Sequence, residues 1–126
     1  MSMNCNDFLT VAKFELSMES EPGYRACISS AYYGLYHKAS GLLVHCPATT
    51  HAGLIDYLLR GTERKQEPWE LMDLISIGAV LNQQKIKRKM ADYDLNADVS
   101  KTESQSSLDV ADRYIKKIDA MIHSRL

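Results

Sequence analysis

No run of about 18 apolar residues occurs anywhere in this 126-residue chain, so no membrane-spanning helix is expected. The polar opening from Met1 to Asp7 lacks the apolar core of a signal peptide, so export is not expected either. Excess charge is also missing. Fifteen Lys and Arg face sixteen Asp and Glu, and a net charge of −1 sets up no global field to recruit nucleic acid or an anionic membrane. Any polyanion contact must then come from a local patch. Cysteine is scarce and odd in number: Cys5, Cys27 and Cys46 have no metal-ligand spacing and fit a reduced setting, with Cys27 and Cys46 as small apolar fillers. The expectation is a soluble, cytoplasmic protein. Its length suits one domain spanning residues 1–126, able to bury roughly two-thirds of its unfolded surface without metals or disulfides.

Enzyme signatures are absent as well. There is no Gly-rich phosphate loop, and Ser29-Ser30 and Ser106-Ser107 lack a nucleophile-elbow context. His37, His45, His51 and His123 are scattered, and none stands with a second ligand at the spacing of a known metal motif. No metal and no cofactor is expected. His51, after two threonines at a helix start, reads as a capping or surface residue.

Strand alternation and internal repeats are missing too; what remains is helical periodicity. Phe8, Val11, Ala12 and Leu16 mark a first helix from about Asn6 to Met18, and Glu21-Pro22-Gly23 reads as a break. A second helix, about Tyr24 to Val44, places Ile28, Ala31, Tyr32, Leu35, Ala39, Leu42 and Leu43 on one stripe and stops before Pro47. Thr49 or Thr50 can cap a third, with Leu54, Ile55, Leu58 and Leu59 inward and Gly61 as its stop. After a charged linker from Thr62 to Glu67, Pro68 suits the first turn of a fourth helix running to Tyr93 or Asp94. Asn96 to Gln105 reads as a polar, flexible connection. The last helix, about Ser106 to Arg125, carries Leu108, Ala111, Ile115, Ile118 and Ile122 in a 3-4-3-4 seam. The pattern predicts an all-α fold, an antiparallel four- to five-helix bundle centred on the second and fourth helices.

Several polar residues stand on these faces. Arg88 and Asp92 lie one turn apart on the stripe of Leu74, Gly78 and Leu81, where they can pair. Arg25, near Tyr32 and Tyr36 on the second helix, needs a carboxylate; Asp92 or Asp94 would serve, as an interhelical staple or as part of a ligand site. Tyr24, Tyr32, Tyr33 and Tyr36 are either core borders or a stacking surface for bases. Tyr33 and His37 mark a candidate subunit contact. Lys85, Lys87, Arg88 and Lys89 are either a solvated helix end or a small phosphate patch.

The segment Tyr24-Arg25-Ala26-Cys27-Ile28-Ser29-Ser30-Ala31-Tyr32-Tyr33-Gly34-Leu35-Tyr36-His37 resembles the second-helix signature of HEPN-domain proteins (higher eukaryotes and prokaryotes nucleotide-binding). Thr50 to Ile55, Arg88-Lys89-Met90-Ala91-Asp92-Tyr93-Asp94 and Ser107 to Ile118 resemble later elements of that family, in the same order. The resemblance implies a homodimer in a prokaryotic toxin–antitoxin or phage-defence module, beside a minimal nucleotidyltransferase. It also implies binding of a nucleotide, RNA or a cognate protein. Many HEPN proteins are metal-independent ribonucleases using Arg-x(4–6)-His. Here no histidine lies five to seven residues after any arginine, and Tyr93 falls where one would be expected after Arg88. The expectation is therefore a non-catalytic binding module in which Arg25, Tyr32, Tyr36, Arg88, Asp92 and Tyr93 shape a polar cleft. A divergent ribonuclease using Arg88 with Asp92, Tyr93 or a distant His51 or His37, and a purely structural helical adaptor, are the alternatives.

Overall fold

The computed structural model describes residues 3–48 and 50–125, and these are 79% helical with no strands. Five helices form the bundle: α1 (Cys5–Ser17), α2 (Glu21–Leu42), α3 (His51–Arg60), α4 (Leu71–Tyr93) and α5 (Lys101–His123), with a short 3-10 turn at Thr62–Gln66. None of them is long and apolar enough to cross a membrane. α2 is the central element, touching α1, α4 and α5, while α3 lies against α4. Ser104 donates to the Tyr24 carbonyl and Lys38 pairs with Asp119, so α2 and α5 run parallel. Ser76 meets Tyr114 and Lys117 meets Asp73, so α4 and α5 run antiparallel.

The boundaries correct the sequence reading in three places. Glu21-Pro22-Gly23 is the first turn of α2 and not a break, because Ser20 caps it by accepting from the Gly23 amide at 3.2 Å. Proline costs nothing there, since a first-turn N–H has no intrahelical acceptor. The chain reverses just before, where Glu19 takes a φ of 50°. Gly23 is required for a different reason: a Cβ at this position would sit 2.6 Å from the Glu15 carbonyl oxygen. α4 starts at Leu71 rather than Pro68, because Glu67 accepts from the Val44 and His45 amides and Trp69 donates to the Leu42 carbonyl at the end of α2 instead. Finally, α5 begins at Lys101, so half of the expected flexible connection is helix, capped by the Ser100 hydroxyl on the Glu103 amide. Thr50 caps α3 by accepting from Gly53; Thr49 lies outside the described residues.

The expected stripes are otherwise found inside, except that Ile122, the end of the expected α5 seam, is 37% exposed. Ala31, Tyr32, Leu35, Ala39, Leu42, Leu54, Ile55, Leu58, Leu74, Ile77, Leu81, Leu108, Ala111, Ile115 and Ile118 share one core. Ile28, Ala91 and Val99 form a second cluster at the far end of α4. In α1 the inward face is Leu9, Ala12 and Leu16, whereas Val11 points out at 42% exposure. Gly78 lets α3 and α4 touch: a Cβ there would lie 2.9 Å from Leu58 Cβ.

Candidate functional site

α2, α3 and α4 converge on Arg88. Its Nη1 donates to the Tyr33 hydroxyl at 3.1 Å and to Asp92 Oδ2 at 3.0 Å. The guanidinium lies over two rings, 5.6 Å from the Tyr32 centroid and 5.4 Å from that of Tyr33. The side chain is only 12% exposed, and its Nε is buried without a partner. Nη2 makes no protein hydrogen bond among the described residues. Asp92 also accepts from Ser29 across the helix interface at 3.4 Å. Arg88 and Asp92 do pair on one face, as their four-residue spacing implies.

His51 is the residue that sequence reasoning undervalued. It is neither a cap nor a free surface residue, since Thr50 does the capping. Its ring stacks on Tyr36 at 3.7 Å with an interplanar angle of 1°, and its Nδ1 meets the Tyr32 hydroxyl at 2.9 Å. The first turn of α3 thus sets an imidazole beside the guanidinium supplied by α4. Burial, followed by the charges of Arg88, Lys85 and His37, pulls the His51 pKa below its usual value, which favours the neutral ring. Burial pushes the Tyr32 phenol up to about 12, opposed by Arg88, so it stays protonated. If Tyr32 donates to Nδ1, His51 Nε2 carries the proton and is a donor; with the other tautomer Nε2 is a base. Tyr36 is raised by burial and then by Cys46.

α1 closes one side. Phe8 stacks with His37 at 5.2 Å and tilts toward Tyr33 at 6.4 Å, so the Tyr33/His37 strip of α2 lies between α1 and α4. The aromatic rings thereby form a connected surface around one cation. No family model, curated protein or solved structure matches this chain.

Two of the expected cleft residues stand elsewhere. Arg25 does not reach either carboxylate of Asp92 or Asp94. It pairs with Glu21 at 3.0 Å and donates to the backbone carbonyls of Ala91 and Asp94, each at 2.9 Å, and to that of Ala97. Those carbonyls lie at or beyond the end of α4, where intrahelical donors run out, so Arg25 is a C-terminal clasp. Tyr93 is 74% exposed and lies about 140° around α4 from Arg88, at ~100° per residue. Tyr32, Tyr36, Arg88 and Asp92 are brought together. Among the described residues no three His, Cys, Asp or Glu side chains are placed to hold a metal ion.

Proposed function

We propose that the Arg88 cluster is an anion site for a phosphate-bearing ligand, a nucleotide or an RNA strand, in a non-catalytic HEPN-type binding module. The observation that carries this reading is the Arg88 guanidinium, fixed by Tyr33 and Asp92 over two rings, with Nη2 uncommitted among the described residues. A fixed guanidinium fork suits phosphate oxygens, and the part-exposed Tyr33 ring suits a base, whereas Tyr32, buried in the core, only supports the cation. His51 adds a donor or acceptor beside it. The resemblance of α2 and of the Arg88–Asp94 segment to HEPN proteins supports the same context: a homodimer in a prokaryotic toxin–antitoxin or defence module, with a minimal nucleotidyltransferase as cognate partner. Calorimetric titration with AMP and with a short single-stranded RNA tests it. Arg88→Ala should weaken binding about tenfold or more, and Arg88→Lys should recover part of that. Equal affinity in wild type and both folded variants refutes the site.

A second reading, a divergent metal-independent ribonuclease, is favoured by one specific observation: Tyr32 and Tyr33 hold an imidazole and a guanidinium in one cluster from different helices. In that chemistry a neutral imidazole takes the 2′-hydroxyl proton. The 2′-oxygen then attacks phosphorus, the P–O5′ bond breaks, and arginine offsets the phosphorane charge. The departing 5′-oxygen takes a proton from the imidazolium, so the products are a 2′,3′-cyclic phosphate and a 5′-hydroxyl, and the neutral imidazole is restored. Incubation of RNA in EDTA with wild type and His51→Ala decides it: the same background from both ends the ribonuclease reading.

A further inference from the structure

A cavity of about 470 Å³ opens between the segment that leads into α4 and the end of α5, a size suited to a small ligand. Leu71, on its rim, lies about 25 Å along α4 from Arg88 at ~1.5 Å per residue, so the Arg88 cluster takes no part in it. One wall is fixed by the end of α2: the Trp69 indole N–H donates to the Leu42 carbonyl at 3.1 Å. Arg125 lies over that indole, its guanidinium 5.5 Å from a ring centroid and its Nη1 donating to the Pro68 carbonyl at 3.0 Å. Leu71 and Met121 add apolar surface.

Of the four charged residues that line this cavity, two are already spent. Glu67 is buried and accepts from the Val44 and His45 amides and the Tyr57 hydroxyl. Asp73 pairs with Lys117 at 3.4 Å. The other two are one carboxylate, Glu70, and one guanidinium, Arg125. Neither forms an ion pair among the described residues, with the other or with any third group, although both border the same space. Glu70 stands at the N-cap of α4 but makes no capping bond through its side chain. Arg125 spends Nη1 on Pro68, and its Nε and Nη2 make no hydrogen bond among the described residues. That edge is a side-by-side pair of N–H donors, the arrangement that matches a carboxylate with two parallel bonds. We propose that this cavity binds a zwitterion, a free α-amino acid with an apolar side chain. Its carboxylate bonds the open edge of Arg125, its ammonium pairs with Glu70, and its side chain lies on the Leu71 and Met121 wall, where a methionine adapts to shape. A ligand with a single charge satisfies one of the two groups and meets a like charge at the other, so the pair selects for both charges together.

Trp69 is the only tryptophan in the chain, so its fluorescence reads the cavity directly. Titration of the full chain with L-leucine or L-methionine should change that signal saturably, with circular dichroism to confirm that each variant is folded. N-acetyl-L-leucine lacks the ammonium and L-leucinamide lacks the carboxylate; each should bind at least ~10-fold more weakly than leucine, the effect of losing a charged hydrogen-bond partner. Glu70→Gln should weaken leucine by a similar factor while leaving N-acetyl-leucine unchanged. Arg125→Gln should weaken leucine while leaving leucinamide unchanged. No saturable signal from either amino acid at millimolar concentration overturns the proposal. So do equal affinities for leucine and both blocked analogues, or variants that weaken all three ligands alike, as a merely structural loss would. Arg88→Ala should leave leucine binding intact, so this site and the phosphate reading stand or fall separately.

Discussion

Arg25 offers the sharpest test of how a polar residue near a candidate site should be read. Its side chain is 14% exposed and spans from α2 to the last turn of α4, donating to the carbonyls of Ala91, Asp94 and Ala97. Arg25→Ala removes all three bonds. The ion pair with Glu21 adds little, since that carboxylate is in solvent. A hydrogen bond from a charged donor contributes about 1.5–3 kcal/mol when its loss strands a buried acceptor. Ala91 is buried, so its carbonyl should carry that full cost, whereas the carbonyls of exposed Asp94 and part-buried Ala97 can recover water. The expected loss is about 3 kcal/mol in urea unfolding at neutral pH. Arg25→Lys should recover less than half, because one ammonium cannot reproduce the fork. Ligand affinity at the Arg88 cluster should be unchanged under conditions where the variant is folded. Native stability combined with lost ligand binding would refute the clasp and return Arg25 to the cleft.

Three further outcomes follow from local geometry. Gly78→Ala gains about 1 kcal/mol of helix propensity, but its Cβ meets Leu58 Cβ at 2.9 Å and Leu59 at 3.1 Å; net destabilisation of about 1–2 kcal/mol is expected, and a stabilised variant in urea would show that the helices separate freely. Glu67 is buried and accepts from the Val44 amide, the His45 amide and the Tyr57 hydroxyl at 2.9, 2.8 and 2.6 Å; Glu67→Gln should cost about 2 kcal/mol at neutral pH. Burial raises the Glu67 pKa but these three donors outweigh it, leaving the value below 4.5; its contribution is present above that value and lost as pH falls through the depressed one, so wild type and variant should converge in acid. Affinity for a phosphate ligand should rise on acidification only below the ordinary imidazole value of 6.5, as His51 gains charge against burial and Arg88. His51→Gln should flatten that part of the profile, and a rise centred at or above 6.5 in wild type would contradict the depressed value.

The fold was legible because its signals are local and redundant. Ile28, Ala31, Tyr32, Leu35, Ala39 and Leu42 would have marked α2 even with one of them missing. What escaped was set by partners distant in sequence or by unusual inward polarity. Residues 101–105 of α5 looked like a loop because Ser104 faces inward, where it bonds the Tyr24 carbonyl; a polar residue on the buried side erases the amphipathic pattern. The Ser100 cap, with Glu103 three residues on, was the available signal. At Glu21-Pro22-Gly23, Ser20 supplied a similar one, but a proline–glycine pair is ambiguous between stopping one helix and starting the next.

The site was half legible for a related reason. Arg88 and Asp92 pair within one helix, so their spacing alone reveals them. His51 comes to Arg88 through tertiary packing, with 36 intervening residues in the sequence, and a search for arginine and histidine a fixed few residues apart cannot find it. A spaced motif reports geometry only where both residues ride on the same rigid element. What the reaction or the ligand requires is the spatial pair, and two helices that pack antiparallel can supply it from any separation. The absence of the linear motif therefore tells against one construction of the site, not against the chemistry. The decision rests on what His51 does: a purely structural ring would contribute its stack on Tyr36 and its bond to Tyr32 and nothing more. His51→Phe preserves the stack while removing both nitrogens. If that variant keeps wild-type stability to within about 1 kcal/mol yet loses phosphate affinity, the imidazole is there for the ligand; if stability falls and affinity holds, it is there for the fold.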